Sequence, residues 1–195
     1  MGNQFGEQAS PQLVPLDVAH VTDGRLHNRS RQENPIMRIP ETVQPFWDRF
    51  QASITYDASQ LFYEAFHFDD NEPTANALGT LVLLGQKRAT AGLLWTNEVT
   101  HKPLPKIGAL SVVTDWHGTP LCIIQSTHIE IIPFDSVSDR FAATEGEGDK
   151  TLRYWREAHW RFFSRECQRI GREPNLQMPV VCEEFKLVYP TRPID

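Results

Sequence analysis

The chain has 195 residues, of which 40% are hydrophobic, enough for one domain with a packed core. Its formal net charge is -6 and its pI is about 5.6. This charge argues against a protein that coats nucleic acid non-specifically, because such binding depends on many Lys and Arg contacts to phosphate. We therefore expect no DNA partner, although a local basic groove remains compatible with the charge.

The cysteines are typical of a cytosolic protein. Cys122, Cys167 and Cys182 stand in separate, mostly apolar contexts. Their odd number and the lack of CxxC spacing indicate neither a disulfide framework nor a zinc knuckle, and reduced thiols are the rule in the cytosol. No apolar run approaches the roughly 18 residues of a membrane span, and the first residues lack the pattern of a secretory signal. We expect a cytoplasmic location and no membrane partner.

Three regions differ in composition. Residues 1–40 are polar and repeatedly interrupted by proline, which predicts a flexible N-terminal extension. Residues 41–190 carry the periodic patterns of one domain, and residues 191–195 are left as a short tail.

Four stretches have helical signals. Apolar residues between Phe46 and Ile54 recur at helical spacing, with Pro45 in the first turn. A second helix is predicted over 72–84, and Gly85 follows at the position of a C-terminal cap. A long third helix is predicted over 151–171, and residues 137–143 fit a helical turn.

Strand patterns cover residues 89–95, 109–114, 121–132 and 180–189, with a hairpin turn at 116–119. Residues 62–68 fit either a strand or a turn-rich link. Several short antiparallel strands flanked by helices predict an α+β domain with a small barrel-like sheet.

The stretch Gly85-x-Lys87-x-x-Thr90 presents an amine and a hydroxyl beside a flexible elbow. Strict alternation along a strand would put Lys87 and Thr90 on opposite faces, so a shared site requires an irregular turn, which Gly85 permits. The spacing alone equally fits a surface lysine after a helix end and an ordinary strand threonine.

A second stretch, Glu145-Gly-Glu-Gly-Asp149, places three carboxylates on a glycine-rich loop. Carboxylates in such a loop can orient a lysine or act as acid and base. The loop lacks the pattern of a calcium-binding or phosphate-binding motif. Alternatively it is solvated, and Asp149 or Thr151 caps the helix that follows.

That helix uses arginine throughout, which favours bidentate contacts to phosphate or carboxylate. Alternatively its arginines form a solvated face tied by ion pairs. His159 falls on its apolar side, where a hydrogen-bonded core histidine is typical. The seven histidines show no metal-binding spacing, so we expect neither a metal nor a cofactor. The arginines of this helix and of the residue directly after it are Arg153, Arg156, Arg161, Arg165, Arg169 and Arg172.

Taken together, these stretches resemble the ASCH domain family, which is related to the PUA-like RNA-binding barrels. The resemblance extends over about residues 46–189. It is carried by Gly85-x-Lys87-x-x-Thr90, the run from Phe141 to Asp149, Trp155-Arg156 with His159 and Phe162-Phe163, and Val181-Cys-Glu-Glu-Phe185.

The resemblance implies a PUA-like barrel of mostly antiparallel strands with a cleft beside the elbow that receives RNA or a modified nucleoside. Some small members are amidohydrolases that deacetylate N4-acetylcytidine, and others have been described as ribonucleases. By analogy Lys87 is the base or activator, Thr90 the nucleophile, and Glu145 the partner that orients Lys87 and handles protons. Candidate binding residues are Gly85, Arg88, Thr151, Arg153 and Arg156.

Two functions follow. The first is a hydrolase, either an amidohydrolase or a ribonuclease, acting on a modified pyrimidine nucleoside or on RNA. The second is a non-catalytic RNA-binding module linked to translation or its regulation. Lys87 is held charged if it pairs with Glu145, and it then serves as an oxyanion stabiliser rather than a base. The sequence leaves this choice, the substrate and the oligomeric state open.

Overall fold

The computed structural model describes residues 38–190. Residues 1–37 and 191–195 lie outside the described part, so the N-terminal extension and the tail remain predictions. None of the helices within residues 38–190 is both long and apolar enough to cross a membrane.

Five α-helices occur in this part of the chain, and local signals explain their ends. Asn71 caps the second helix by accepting a hydrogen bond from the Thr74 amide at 3.0 Å. Thr151 caps the fifth in the same way, accepting from the Tyr154 amide at 3.1 Å. The predicted helices are thereby confirmed. Their bounds are α1 Gln44–Ala52, α2 Glu72–Leu83, α3 Leu94–Thr100, α4 Asp139–Glu145 and α5 Leu152–Arg169.

Five strands form one mixed sheet in the order β1-β3-β4-β5-β2. Only the β1–β3 pair is parallel, and the other three pairings are antiparallel. The predicted α+β class and the mostly antiparallel pairing are thus confirmed. The strands are β1 Phe62–Phe66, β2 Ala89–Leu93, β3 Leu110–Thr114, β4 Pro120–Pro133 and β5 Pro179–Tyr189.

The prediction of a barrel was wrong, because the sheet described here is open. Its two edges are β1 and β2, which do not pair with each other. A cleft of about 330 Å³ lies between them, lined by Tyr63 and Phe66 of one edge and by residues 90–93 of the other. The sheet curls far enough to bring its edges to one cleft but does not close.

The predicted strand over 89–95 was too long. It ends at Leu93, and Trp95 belongs to α3 instead. The reason is non-local: Leu93 pairs with Val180, one residue from the start of β5. Beyond that point β2 has no partner strand on which to continue, so the chain turns into a helix.

The core lies between the sheet and its helices. On one side Trp47 and Phe50 of α1 pack with Leu110 and Val112 of β3. Elsewhere Phe163 of α5 belongs to a cluster that includes residues of α4, β2 and β5. All three cysteines are buried and unpaired, as predicted.

Candidate active site

The elbow after α2 turns Lys87 inward. Gly85 adopts the left-handed φ of 69° that few other residues tolerate. The amides of Gln86 and Lys87 both donate to the Leu81 carbonyl, at 2.9 and 3.1 Å, which closes the end of α2. Lys87 therefore precedes β2 and escapes the alternation of a strand. Its side chain is buried, and the residue is only 2% exposed.

The acidic loop folds back over this elbow. The amide of Arg88 donates to the Thr144 carbonyl of α4 at 3.0 Å. Gly146 then reverses the chain with φ 72° and packs directly against the backbone of Gln86. This close approach brings the carboxylates of Glu145 and Glu147 to the amine of Lys87.

Lys87 is surrounded by groups that favour its charged form. Its Nζ donates to Glu147 Oε1 and lies 4.0 Å from Glu145 Oε1. It also lies 5.0 Å from the centroid of the Phe68 ring, within range of a cation–π interaction. An ammonium in this position can donate hydrogen bonds but cannot accept a proton. The geometry thus favours the stabilising role of Lys87 over the base role.

Glu145 lies beneath the pocket, fully buried, and contacts α5. Its Oε2 accepts from Trp155 Nε1 at 2.9 Å and lies 3.3 Å from His159 Nε2. His159 Nδ1 lies 3.0 Å from the Trp155 carbonyl, which can only accept, so Nδ1 carries a proton. Nε2 is thereby aimed at the Glu145 carboxyl.

The buried cluster places opposite charges side by side. The ammonium of Lys87 lies against the carboxylate of Glu147 and near the carboxyl of Glu145. Charge is costly to bury, so this pairing offsets part of the cost.

The two carboxyls of the loop differ in acidity. Burial raises the pKa of Glu145, and the opposing charges of Lys87 and His159 do not fully offset it. Burial also opposes ionisation of Glu147, but there the charges of Lys87 and His159 and the hydrogen bond from Lys87 prevail and lower its pKa. Glu147 is therefore the ionised carboxylate beside the pocket, and Glu145 is the less acidic carboxyl behind it.

These groups meet at a small pocket with a cavity volume of about 80 Å³. Lys87 and Thr90 both line this pocket, as a site shared by the two residues requires. Glu145 is not part of the lining, and Glu147 takes its place. The complete lining comprises Phe68, Asp69, Leu78, Lys87, Thr90, Ala91, Glu147, Ala158, His159 and Phe162.

The other residues predicted to bind substrate lie away from this pocket. Thr151 is occupied as the cap of α5. Arg156 donates to the Asp135 carbonyl at 2.9 Å. α5 does border the pocket, but with Ala158, His159 and Phe162 rather than its arginines. None of the five, Gly85, Arg88, Thr151, Arg153 and Arg156, is a lining residue.

Sequence reasoning did not assign Phe68, Asp69, His159 or Phe162 to the site, and it named Glu147 only as one of three loop carboxylates. Phe162 was noted only among the residues that carry the resemblance, and Phe68 only as the end of a stretch that fits a strand or a turn-rich link. Glu147 carried a signal, because it stands in the same acidic loop as Glu145. Nothing in the sequence ranks one carboxylate of that loop above another.

Comparison with known proteins agrees with this fold. The model of the ASCH domain matches residues 64–189. The crystal structure of an ASCH domain from Lactobacillus crispatus JV V101 is 39% identical, covers 76% of this chain and 95% of its own, and superposes with a TM-score of 0.72. The crystal structure of a protein from Enterococcus faecalis V583 is 33% identical, with coverages of 75% and 88% and a TM-score of 0.66.

No curated protein matches the chain. The family match begins at Glu64, so α1 precedes it, whereas the resemblance read from the sequence began near Phe46. The match spans more than half of the chain and includes the elbow, the acidic loop and α5. The chain therefore belongs to the ASCH domain family.

Proposed function

We propose that this protein is a hydrolase that cleaves an amide bond on a modified pyrimidine nucleoside of the N4-acetylcytidine type. The observation that carries the proposal is the buried Lys87 ammonium, which shares a pocket with the Thr90 hydroxyl and the Glu147 carboxylate. A nucleophile, a proton acceptor and a cation beside one small cavity are what acyl transfer requires.

Thr90 is the nucleophile in this proposal. Its hydroxyl makes no hydrogen bond to another residue in the described part of the chain, so it is available to a substrate. Glu147 is the acceptor for its proton, because it is ionised and lines the pocket. Lys87 stabilises the oxyanion, and Glu145, which Trp155 and His159 hold in place, orients Lys87 from behind.

The reaction proceeds in two steps. Thr90 Oγ bonds to the acyl carbon, its proton passes to Glu147, and the carbonyl oxygen becomes an oxyanion facing Lys87. The C–N bond then breaks, and the leaving amine takes the proton from Glu147. Water hydrolyses the resulting ester, releases the carboxylic acid and restores the Thr90 hydroxyl.

Mass spectrometry of acylated nucleosides incubated with the purified chain tests this proposal. We expect Thr90→Val to abolish turnover, because valine has the same shape but no hydroxyl, and Thr90→Ser to retain part of it. We expect Lys87→Ala to lower kcat/KM about 100-fold or more, the usual effect of removing an oxyanion donor.

Two controls accompany these variants. Thr42→Val removes an exposed threonine hydroxyl ahead of α1, and Lys106→Ala removes an exposed lysine, so both should leave turnover unchanged. Circular dichroism checks that Lys87→Ala still folds. If that variant does not fold, Thr90→Val still tests the site. Unchanged turnover in Thr90→Val, or no turnover of any acylated nucleoside by the natural chain, would contradict the proposal.

A second candidate is RNA binding without catalysis. The observation in its favour is that the guanidinium groups of Arg153 and Arg161 are exposed and make no ion pair within residues 38–190. The remaining arginines of α5 are engaged, as Arg165 and Arg169 are by Asp70.

A further inference from the structure

The pocket of Lys87 adjoins a second compartment, which is the cleft of about 330 Å³ between the two edges of the sheet. The two cavities share part of their walls, and Thr90 lies on the shared part. A substrate whose reacting bond lies at Thr90 therefore extends into the larger cavity. The shared lining residues are Phe68, Asp69, Thr90, Ala91 and Phe162.

The walls of this second compartment carry four carboxyl groups and only one lysine, Lys102. Three of the carboxyls are matched by a cation. The matched pairs are Glu64 with Lys102 at 2.6 Å, Asp69 with Arg165 at 3.5 Å, and Glu166 with Arg169. The fourth, Glu183, contacts no cation within the described residues.

Glu183 is held in a different way. The hydroxyl of Ser126, itself buried, donates to Glu183 Oε1 at 2.5 Å. The other oxygen, Oε2, accepts no hydrogen bond from residues 38–190, and it is not among their fully enclosed polar atoms. Burial raises the pKa of this carboxyl, and the hydrogen bond from Ser126 opposes that shift. Glu183 thus offers a fixed and unused acceptor to the cavity.

We propose that this second compartment holds the non-reacting part of the substrate, an uncharged group with hydroxyl donors such as the sugar of a nucleoside, and rejects phosphate. A carboxylate accepts hydrogen bonds from hydroxyl groups and repels an anion in a confined cavity. Glu183 is the residue that makes this distinction. The assignment of the sugar rests on the proposed function, since it places the reacting bond at Thr90.

Isothermal titration of the full chain with cytidine and with cytidine 5′-monophosphate tests the inference without requiring turnover. We expect the natural chain to bind cytidine about tenfold or more tightly than its phosphate, the ratio that corresponds to roughly 1.4 kcal/mol of repulsion. Glu183→Gln keeps the shape but removes the charge, so the preference should shrink several-fold.

The matched control is Glu184→Gln. Glu184 is the next residue of β5, does not line the cleft, and pairs with Arg140. The Glu184→Gln variant should retain the full preference for cytidine over its phosphate. Equal binding of the two ligands, no binding of cytidine, or an equal loss of preference in both variants would overturn the inference. Selective cytidine binding without hydrolysis of any acylated nucleoside would instead contradict only the proposed function.

Discussion

Gly146 is the residue on which the site geometry depends most directly. It has a φ of 72°, and a Cβ placed on it would lie 2.7 Å from the carbonyl carbon of Gln86. That distance is shorter than any real side chain tolerates against backbone. The absence of a side chain at this position is what allows the loop to carry Glu145 and Glu147 onto Lys87.

We predict that Gly146→Ala destabilises the protein by about 3 kcal/mol, because it combines left-handed strain with a backbone clash. Gly85→Ala is the matched control. Gly85 has a similar φ of 69°, but nothing lies within 4 Å of its added Cβ. It should cost only about 1 kcal/mol, the strain alone. Urea unfolding measures both, and equal losses would show that the contact with Gln86 is unimportant.

The same residue explains what the sequence could reveal of the site. Lys87 and Thr90 were identified because the elbow motif is local, and Glu145 because the resemblance indicated it. Whether Glu145 or Glu147 faces the pocket depends on how Gly146 turns and on where Gln86 lies. That contact joins distant parts of the chain, and no local pattern encodes it.

At the scale of elements, α5 is tied to the loop that follows β1. Asp70 accepts from Arg165 Nε at 2.8 Å and from Arg169 Nη2 at 2.7 Å. These contacts fasten the loop that carries Phe68 and Asp69, which line the pocket, to the helix that carries His159. Part of the arginine face of α5 therefore has a structural role.

We predict that Asp70→Asn lowers the free energy of unfolding by about 1 kcal/mol at neutral pH, a modest value because the arginines are largely exposed. Hydrogen bonds from Arg165, with further contributions from Asp69 and Arg169, hold the pKa of Asp70 well below its ordinary value of 3.8. A carboxyl with a lowered pKa stabilises the fold above its unfolded value and loses that contribution as the pH falls through its folded value.

The difference between the natural chain and Asp70→Asn should accordingly be constant at neutral pH and shrink below pH 3.8. Urea unfolding over a pH series provides the measurement. Asp48→Asn is the control, since Asp48 is exposed and, within residues 38–190, its side chain accepts a hydrogen bond only from Gln44 of the same helix. A difference that grew on acidification would contradict the assignment.

Helices and strands that are set by local signals could be predicted from the sequence, and features set by distant parts of the chain could not. Caps and glycine stops specify α2 and α5 within a few residues, and alternation identifies β4. α3 was missed because the end of β2 is set by where β5 begins. Closure of the sheet was mispredicted for the same reason. The separation of β1 and β2 depends on the curvature of the strands between them, which is not a local property.

At the scale of the molecule, a net charge of -6 weighs on the choice between the two functions. Binding to a nucleic-acid strand releases counterions and weakens steeply as salt is raised. A pocket that binds an uncharged nucleoside shows almost no such dependence.

We predict that affinity for cytidine is nearly constant between low and physiological salt, and that single-stranded RNA binds only weakly at physiological salt. Calorimetry for the nucleoside and fluorescence anisotropy for a labelled RNA measure these affinities. Arg153→Ala should leave cytidine binding unchanged. Tight RNA binding with a steep salt dependence, weakened by Arg153→Ala, would favour the RNA-binding module instead.

One irregularity of β4 couples the shape of the cleft to its chemistry. The register between β4 and β5 shifts between Ser126 and His128, where Thr127 is the extra residue. A bulge bends a strand and redirects its side chains. Here the same bulge contributes to the curl of the sheet and lies beside the Ser126 hydroxyl that holds Glu183. Regularising the strand would therefore alter the width and the polarity of the cleft together.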